Sequence, residues 1–299
     1  MPAVESHLIH SKYVEQTYQV EVMQPLMCRS ADERFPVLYL VDGNDTFDAA
    51  KCISHNLQIA GQVCRYILVG IGYPGTNPFV GDILRGRDLT PLRRAPIPGF
   101  PTTSPIEGVP GIENGKRWHG AEEFLSFISD ELVPLVEAEY PARPNDRGLF
   151  GHSLGGGLGL HAMFSQPALF TRFILSSPSV SWDGDPHGLE QAERAARAGT
   201  RIDAKVFLSV GGEEEFQPAY AKSQFCSSFF RLAALLRGAN LPGLTIRSEL
   251  IPGETHASVW PIAFTHGVQA VFSPAEAPAL CYASEVSAKP NATEGPDRG

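Results

Sequence analysis

The stretch with the most chemical content is Gly151-His152-Ser153-Leu154-Gly155. It fits Gly-x-Ser-x-Gly, which makes a nucleophile when a strand leads into it and a helix leaves it. The sharp turn between the two then stands the serine hydroxyl clear of the sheet. Arg147-Gly148-Leu149-Phe150 predicts the incoming strand, and the small, apolar run from Gly156 to Phe164 predicts the helix. A chain with 29 glycines yields the bare pattern by chance, so the strand–turn–helix context carries the reading.

A serine hydroxyl attacks poorly until a base takes its proton, and the base needs a third group to orient it. Of the nine histidines, His256 is the candidate base. It sits in Gly253-Glu254-Thr255-His256, a turn after the last predicted strand, where catalytic groups of parallel sheets gather. A solvated loop histidine is the competing reading, which the elbow outweighs. His152 adjoins the serine too closely in sequence to reach it as base. His266 falls within a helix, and His7 and His10 precede the first strand read from the sequence. His119 and His187 are left as gate residues.

The acid is expected just past the strand that ends at Val210, in Gly211-Gly212-Glu213-Glu214-Glu215. Spacing alone does not choose among the three carboxylates. Glu214 is favoured because a carboxylate three residues past the first glycine is common at this turn in related folds. At least two of the three belong to a solvated acidic turn. Acyl transfer also needs donors aimed at the developing oxyanion. The backbone N–H of Leu154 supplies one, and the turn Asp42-Gly43-Asn44-Asp45 supplies the other through Gly43 or Asn44.

The elements that must position these residues read as one α/β domain over residues 1–272, a mostly parallel sheet with helices on both faces. Residues 273–299, rich in Ala, Pro and Glu, read as a flexible tail. Lys12 to Met23 alternates as an antiparallel edge strand. Phe35 to Val41 and Tyr66 to Ile71 are continuous apolar runs, as strands covered on both faces require. Arg172 to Ser176, Lys205 to Val210 and Leu244 to Ile251 predict further strands. Helices are predicted over Gly120 to Glu139, Leu189 to Ala198, Ala219 to Arg237 and Ala257 to Phe272, each with an apolar stripe or helical spacing.

Gly75 to Trp118 is rich in Pro, Gly, Arg and Thr with little periodicity, and a loop of that length suits a lid over a site. Its arginines, Arg85, Arg87, Arg93 and Arg94, suit an anionic or oxygen-rich substrate, with Arg87 and Arg93 as the named contacts. Pairing with local acids on a solvated surface is the competing reading. Trp182 and Trp260 are expected near the same sheet edge and are candidate pocket walls; core packing is the alternative for each.

Composition sets outer bounds. Hydrophobic residues at 43% and charged residues at 19% describe an ordinary globular protein with ample core. A formal net charge of −9 argues against nucleic acid as a partner. No apolar run is long enough to span a bilayer, and the amino terminus shows no basic-then-apolar signal, so a cytoplasmic location and no membrane partner are expected. The five cysteines, Cys28, Cys52, Cys64, Cys226 and Cys281, are scattered and odd in number, which suits buried free thiols. No metal or cofactor is expected. The expected partner is a small-molecule ester, and oligomeric state is not readable.

On these residues the chain resembles the putative-esterase branch of the α/β-hydrolases, which includes the siderophore (enterobactin-type) esterases, esterase D and the mycolyltransferases. The matching segments are Pro36 to Gly43, Gly70-Ile71-Gly72-Tyr73, Arg87-Asp88-Leu89-Thr90-Pro91, Gly151 to Gly156, Leu175-Ser176-Ser177-Pro178-Ser179 and Gly253 to His256. Arg-Asp-Leu-Thr-Pro and Ser-Pro-Ser lean toward the siderophore-esterase members. The resemblance implies an α/β-hydrolase fold, Ser153 as nucleophile and His256 as base. The leading reading is a serine hydrolase that cleaves a carboxylic ester through an acyl-enzyme; the substrate does not carry over with the resemblance, and siderophore-type, lactone and aryl esters are the candidates. Two alternatives stand beside it: acyl transfer by the same Ser–His machinery, and a non-catalytic ligand-binding member of the fold.

Overall fold

The computed structural model describes residues 3–25, 32–75, 78–91, 120–181, 186–218, 220 and 223–274. Eight strands form one sheet in the order β1-β2-β4-β3-β5-β6-β7-β8. The strands are β1 (Val4–Ser11), β2 (Gln16–Met23), β3 (Phe35–Leu40), β4 (Ile67–Gly72), β5 (Ala142–His152), β6 (Arg172–Ser176), β7 (Ala204–Gly211) and β8 (Leu244–Ile251). β1 and β2 pair antiparallel, β2 runs antiparallel to β4, and all pairings from β4 to β8 are parallel.

The central strands are covered on both faces, so every residue of β3, β4 and β6 is buried. Their twofold side-chain alternation divides the core into two layers. Val37, Tyr39, Ile67, Val69, Leu149, Phe173 and Leu208 point into one. That layer is closed by α2 (Pro78–Asp88), α3 (Ala121–Phe127), α4 (Val133–Glu139), α5 (Leu154–Ser165), α6 (His187–Ala198) and α7 (Phe225–Ala239). Leu38, Leu40, Leu68, Phe150, Ile174 and Phe207 point into the other, against α1 (Gly43–Ile59) and α8 (Val259–Val271). A π-type turn over Ile128–Leu132 joins α3 to α4, so the helix predicted over Gly120 to Glu139 is continuous with one wide turn inside it.

β1, β2, α1 and α2 differ from the sequence reading, β5 begins at Ala142 rather than Arg147, and α7 begins at Phe225 rather than Ala219. β1 was not anticipated, and the edge strand expected from Lys12 begins only at Gln16, after a turn; His7 and His10 lie inside β1. β1 is the sheet edge, and its polar residues bury little, with Leu8 at 69% exposure, so it has no clean apolar alternation. α1 occupies a segment read only as a turn at its start, because its buried stripe includes Gly43, Thr46, Ala50 and Ser54 beside Phe47 and Leu57. The stretch read as a long loop from Gly75 holds α2; residues 92–118 of it lie outside the described residues.

The tail expected from residue 273 lies, from 275 onward, outside the described residues as well. Among the described residues, no helix is long and apolar enough to cross a membrane. Cys52, Cys64 and Cys226 are free thiols, but Cys52 is exposed rather than buried, and Cys28 and Cys281 fall outside the described residues.

The chain builds outward from β3 in opposite directions, to β4 on one side and β5 to β8 on the other. The crevice beyond the carboxyl ends of β3 and β5 is therefore the topological switch point, where sheets of this kind hold ligands.

Candidate active site

Ser153 closes that crevice. Its backbone has φ 58° and ψ −116°, a region where a non-glycine residue is strained, at a cost on the order of 1–3 kcal/mol. The surroundings hold it there. Its N–H donates to Ser176 O at 3.0 Å, and its carbonyl accepts from Gly157 N at 3.0 Å and Ser179 N at 2.9 Å. The flanking glycines follow from close approach: a Cβ on Gly151 would lie 2.1 Å from Gly155 O, and one on Gly155 would lie 2.6 Å from Val41 Cγ2.

His256 lies just after β8, 6% exposed, with Nε2 at 2.9 Å from Ser153 Oγ. Its Nδ1 is 2.7 Å from Glu214 Oε2, and its N–H donates to Gln217 Oε1 at 3.3 Å. The imidazole stacks on Phe225, with ring centroids 4.4 Å apart, and touches Tyr220 at the same distance. These apolar faces limit water and leave the two ring nitrogens their directional contacts.

The three glutamates past β7 divide cleanly. Glu213 is exposed. Glu215 turns away to α7, accepting from Ser227 N at 2.6 Å and Ser227 Oγ at 3.0 Å, which caps that helix. Glu214 is fully buried, and its Oε1 accepts from Ser177 Oγ and, at 2.7 Å, from Gly211 N, leaving Oε2 to His256.

His152 packs against the same imidazole, with ring centroids 4.6 Å apart and Nδ1 at 3.1 Å from Ser176 Oγ. Burial, then the neighbouring His256 and Arg85, push its pKa down to about 3, so this ring stays neutral at ordinary pH.

Leu154 opens α5, and Gly43 and Asn44 open α1, so their N–H groups have no partner within their own helices. The two helix ends meet, since Gly155 packs on Val41 and Asp42. The Asn44 side chain clamps the loop after β4, donating to Tyr73 O at 2.8 Å and accepting from Tyr73 N at 2.6 Å. Asp42, the residue before α1, is forked by Arg85 at 2.8 and 2.7 Å. This set of groups can run acyl transfer through a covalent serine ester.

The residues expected to meet substrate fare differently. Arg87 is 2% exposed and forks onto the fully buried Asp88, at 2.6 and 3.0 Å. Asp88 also accepts from Tyr18 and Tyr73 hydroxyls at 2.7 and 3.1 Å. The Arg87 substrate contact is therefore corrected: an isolated buried carboxylate is so costly that Asp88 holds the guanidinium inside. Trp260 packs edge-on against Phe150, 6.4 Å between centroids, beside the α1–α8 core layer rather than as a pocket wall. Arg93 and Trp182 lie outside the described residues.

Ser177, Gln217, Tyr220 and Phe225 escaped the sequence reading as site residues. Nothing local marks them, because each reaches His256 or Glu214 from a separate connection or helix.

A serine–histidine–carboxylate line at the end of a mostly parallel sheet is the geometry that α/β-hydrolases use for ester cleavage. The family model described as Putative esterase matches residues 101–266, more than half of the chain, and the chain belongs to that family. It is similar to the ferri-bacillibactin esterase BesA of Bacillus subtilis, 27% identical over 92% of this chain and 91% of that one. It is likewise similar to the siderophore triacetylfusarinine C esterase of Aspergillus fumigatus, 28% identical over 79% and 81% of the two chains. Among solved structures, the siderophore hydrolase EstB of Aspergillus nidulans superposes with a TM-score of 0.74 at 26% identity, covering 93% of this chain and 98% of that one. The chain is a carboxylic ester hydrolase of the serine type.

Proposed function

We propose that the protein hydrolyses siderophore-type esters, with Ser153 as nucleophile, His256 as general base and acid, and Glu214 as the group that orients His256. The observation that carries the reading is the unbroken line from Ser153 Oγ through His256, 2.9 Å away, to Glu214, 2.7 Å beyond. The substrate class is supported by the relatives, whose names place them on ferri-bacillibactin and triacetylfusarinine C.

Ser153 Oγ attacks the ester carbonyl carbon while His256 Nε2 takes its proton. The N–H of Leu154 and that of Gly43 or Asn44 receive the carbonyl oxygen as it becomes an oxyanion. Collapse breaks the C–O bond of the leaving alcohol, which takes the proton back from His256. Water, deprotonated by the same imidazole, attacks the acyl-enzyme and frees the acid and Ser153. The buried Glu214 stabilises the imidazolium that forms twice in the cycle. A cytoplasmic setting belongs to this reading, supported by the free thiols Cys52, Cys64 and Cys226.

The test incubates purified protein with bacillibactin and triacetylfusarinine C, each with and without ferric ion, and follows products by mass. Each ester cleaved adds one water to the products, and Ser153→Ala abolishes turnover and labelling by a fluorophosphonate. Retained turnover in Ser153→Ala sinks the mechanism; brisk cleavage of simple aryl esters with both siderophores untouched sinks the substrate class.

A further inference from the structure

β8 is the last strand of the sheet, and among the described residues no strand pairs with its outer edge. It runs for eight residues, Leu244 to Ile251, with no proline and no lysine along it. An uncovered edge of that length offers its outward N–H and C=O groups to another strand, and proteins usually blunt such edges. Beside it, between β8 and α7, lies an open groove of about 260 Å³. Its apolar walls are Phe229, Phe230, two alanines of α7 and Leu250, and its polar residues are Arg237 and Ser248. Phe230 is 54% exposed and Leu250 36%, so the groove leaves large apolar side chains in water.

The charges along β8 say what fits this edge. Side chains of a strand alternate between its faces. Arg247 and Glu249 stand on the α8 face: Arg247 lies over the Phe207 ring, 5.7 Å from its centroid, and Glu249 Oε1 is 2.8 Å from His266 Nδ1. Ile246, Ser248 and Leu250 stand on the α7 face. A second copy that continues the sheet meets β8 antiparallel to itself, about a twofold axis perpendicular to the sheet. Directly opposed residues then share a face, and the axis passes through one residue position. An axis at Arg247 opposes two arginines, and one at Glu249 opposes two glutamates. Axes at Ile246 or Leu250 bring no charges of β8 together. An axis at Ser248 sets Arg247 opposite Glu249 of the second copy, Glu249 opposite its Arg247, and Ile246 opposite its Leu250. Within one chain Arg247 Nη2 already lies 3.2 Å from Glu249 Oε2, so the four charges close a ring of alternating sign. Cross-strand charge selects this register.

We propose that β8 is the interface of a twofold dimer, in which a second copy of this chain pairs with it in the Ser248-centred register and doubles the eight-stranded sheet. On the α7 face, Leu250 of each copy is set opposite Ile246 of the other, at the groove, which takes apolar surface out of water on both sides. Ser153, His256 and Glu214 all belong to one chain, so each copy keeps a complete site. Because the two edges run antiparallel, the carboxyl ends of the two sheets point in opposite directions, and the two sites open away from each other.

The experiment is sedimentation equilibrium of the full chain as wild type, Arg247→Glu, Glu249→Arg and the double exchange Arg247→Glu/Glu249→Arg, with circular dichroism as the check on folding. Wild type should dimerise. Each single reversal opposes like charges at two symmetric pairs and should raise the dimer Kd by at least about tenfold. The double exchange opposes unlike charges again and should return Kd close to wild type. An equal mixture of the two single variants should form a heterodimer, since one brings two glutamates to the junction and the other two arginines. Leu250→Asp should also weaken the dimer, and it keeps the test open should Glu249→Arg fold poorly on losing His266. A wild type that stays monomeric at every concentration overturns the proposal and leaves the edge to another occupant, such as residues 275–299. A dimer whose Kd ignores both single reversals forms through a different surface and overturns it too. Reversals that weaken the dimer with no recovery in the double exchange or the mixture would overturn the register.

Discussion

Replacing Glu214 by glutamine changes one atom and should stop the enzyme through proton geometry. In the native site Oε1 accepts two donors, Ser177 Oγ and Gly211 N, and Oε2 faces His256 Nδ1. An amide has one acceptor oxygen, and the two-donor side claims it. The new NH₂ then points at His256 Nδ1, which must turn a lone pair toward it. The ring proton moves to Nε2, the atom 2.9 Å from Ser153 Oγ, so the imidazole offers that hydroxyl a donor and cannot take its proton. Enforcing the wrong tautomer in a serine–histidine–acid site lowers kcat by about 10⁴-fold, roughly 5 kcal/mol of barrier. The assay is steady-state hydrolysis of an aryl ester by Glu214→Gln, beside Glu213→Gln and Glu215→Gln as folded controls. Glu213→Gln should match wild type. Glu215→Gln should keep kcat while losing stability of about 1 kcal/mol through its weakened cap on α7. A Glu214→Gln enzyme within tenfold of wild type would show that His256 is oriented without a carboxylate.

Two further outcomes follow from buried charge. Because the folded-state pKa of His152 sits at about 3, below that of an unfolded histidine, the unfolded chain binds the extra proton. Stability should therefore be fully present above about pH 6.5 and fall as pH drops toward 3, at roughly 1 kcal/mol per pH unit from this ring. Urea unfolding at stepped pH should show a shallower loss for His152→Gln than for wild type, and parallel curves would refute the assignment. Arg87→Ala should cost roughly 3–5 kcal/mol by the same unfolding assay, because it strands the buried Asp88. A variant with native stability but a shifted KM would instead return Arg87 to the substrate.

The strands and helices that carry the strongest periodicity were legible in the amino-acid order. β6 and β8 have the bounds that their apolar pattern predicts, β3, β4 and β7 differ by one residue at one or both ends, and β5 begins five residues earlier, at Ala142. The Gly-x-Ser-x-Gly pattern between a strand and a helix, and a histidine in the last turn, are likewise local facts of spacing. α1 and β1 were not legible, since small and polar residues fill much of the buried stripe of one and Ser11 is the sole fully buried residue of the other. Which glutamate faces the imidazole was also beyond spacing. Glu213, Glu214 and Glu215 are equivalent as consecutive letters, and only the donors brought by Ser177, Gly211 and Ser227 separate them. Arg87 shows the same limit from the other side. A run of arginines reads as a surface for anions until Tyr18 and Tyr73, from distant parts of the chain, bond to Asp88 inside the core and the adjacent Arg87 is buried with it. Periodicity is a property of neighbours along the chain, so it survives in sequence; whether a charged group is buried, and which donors surround it, is decided by elements far apart in sequence, and only their packing shows it.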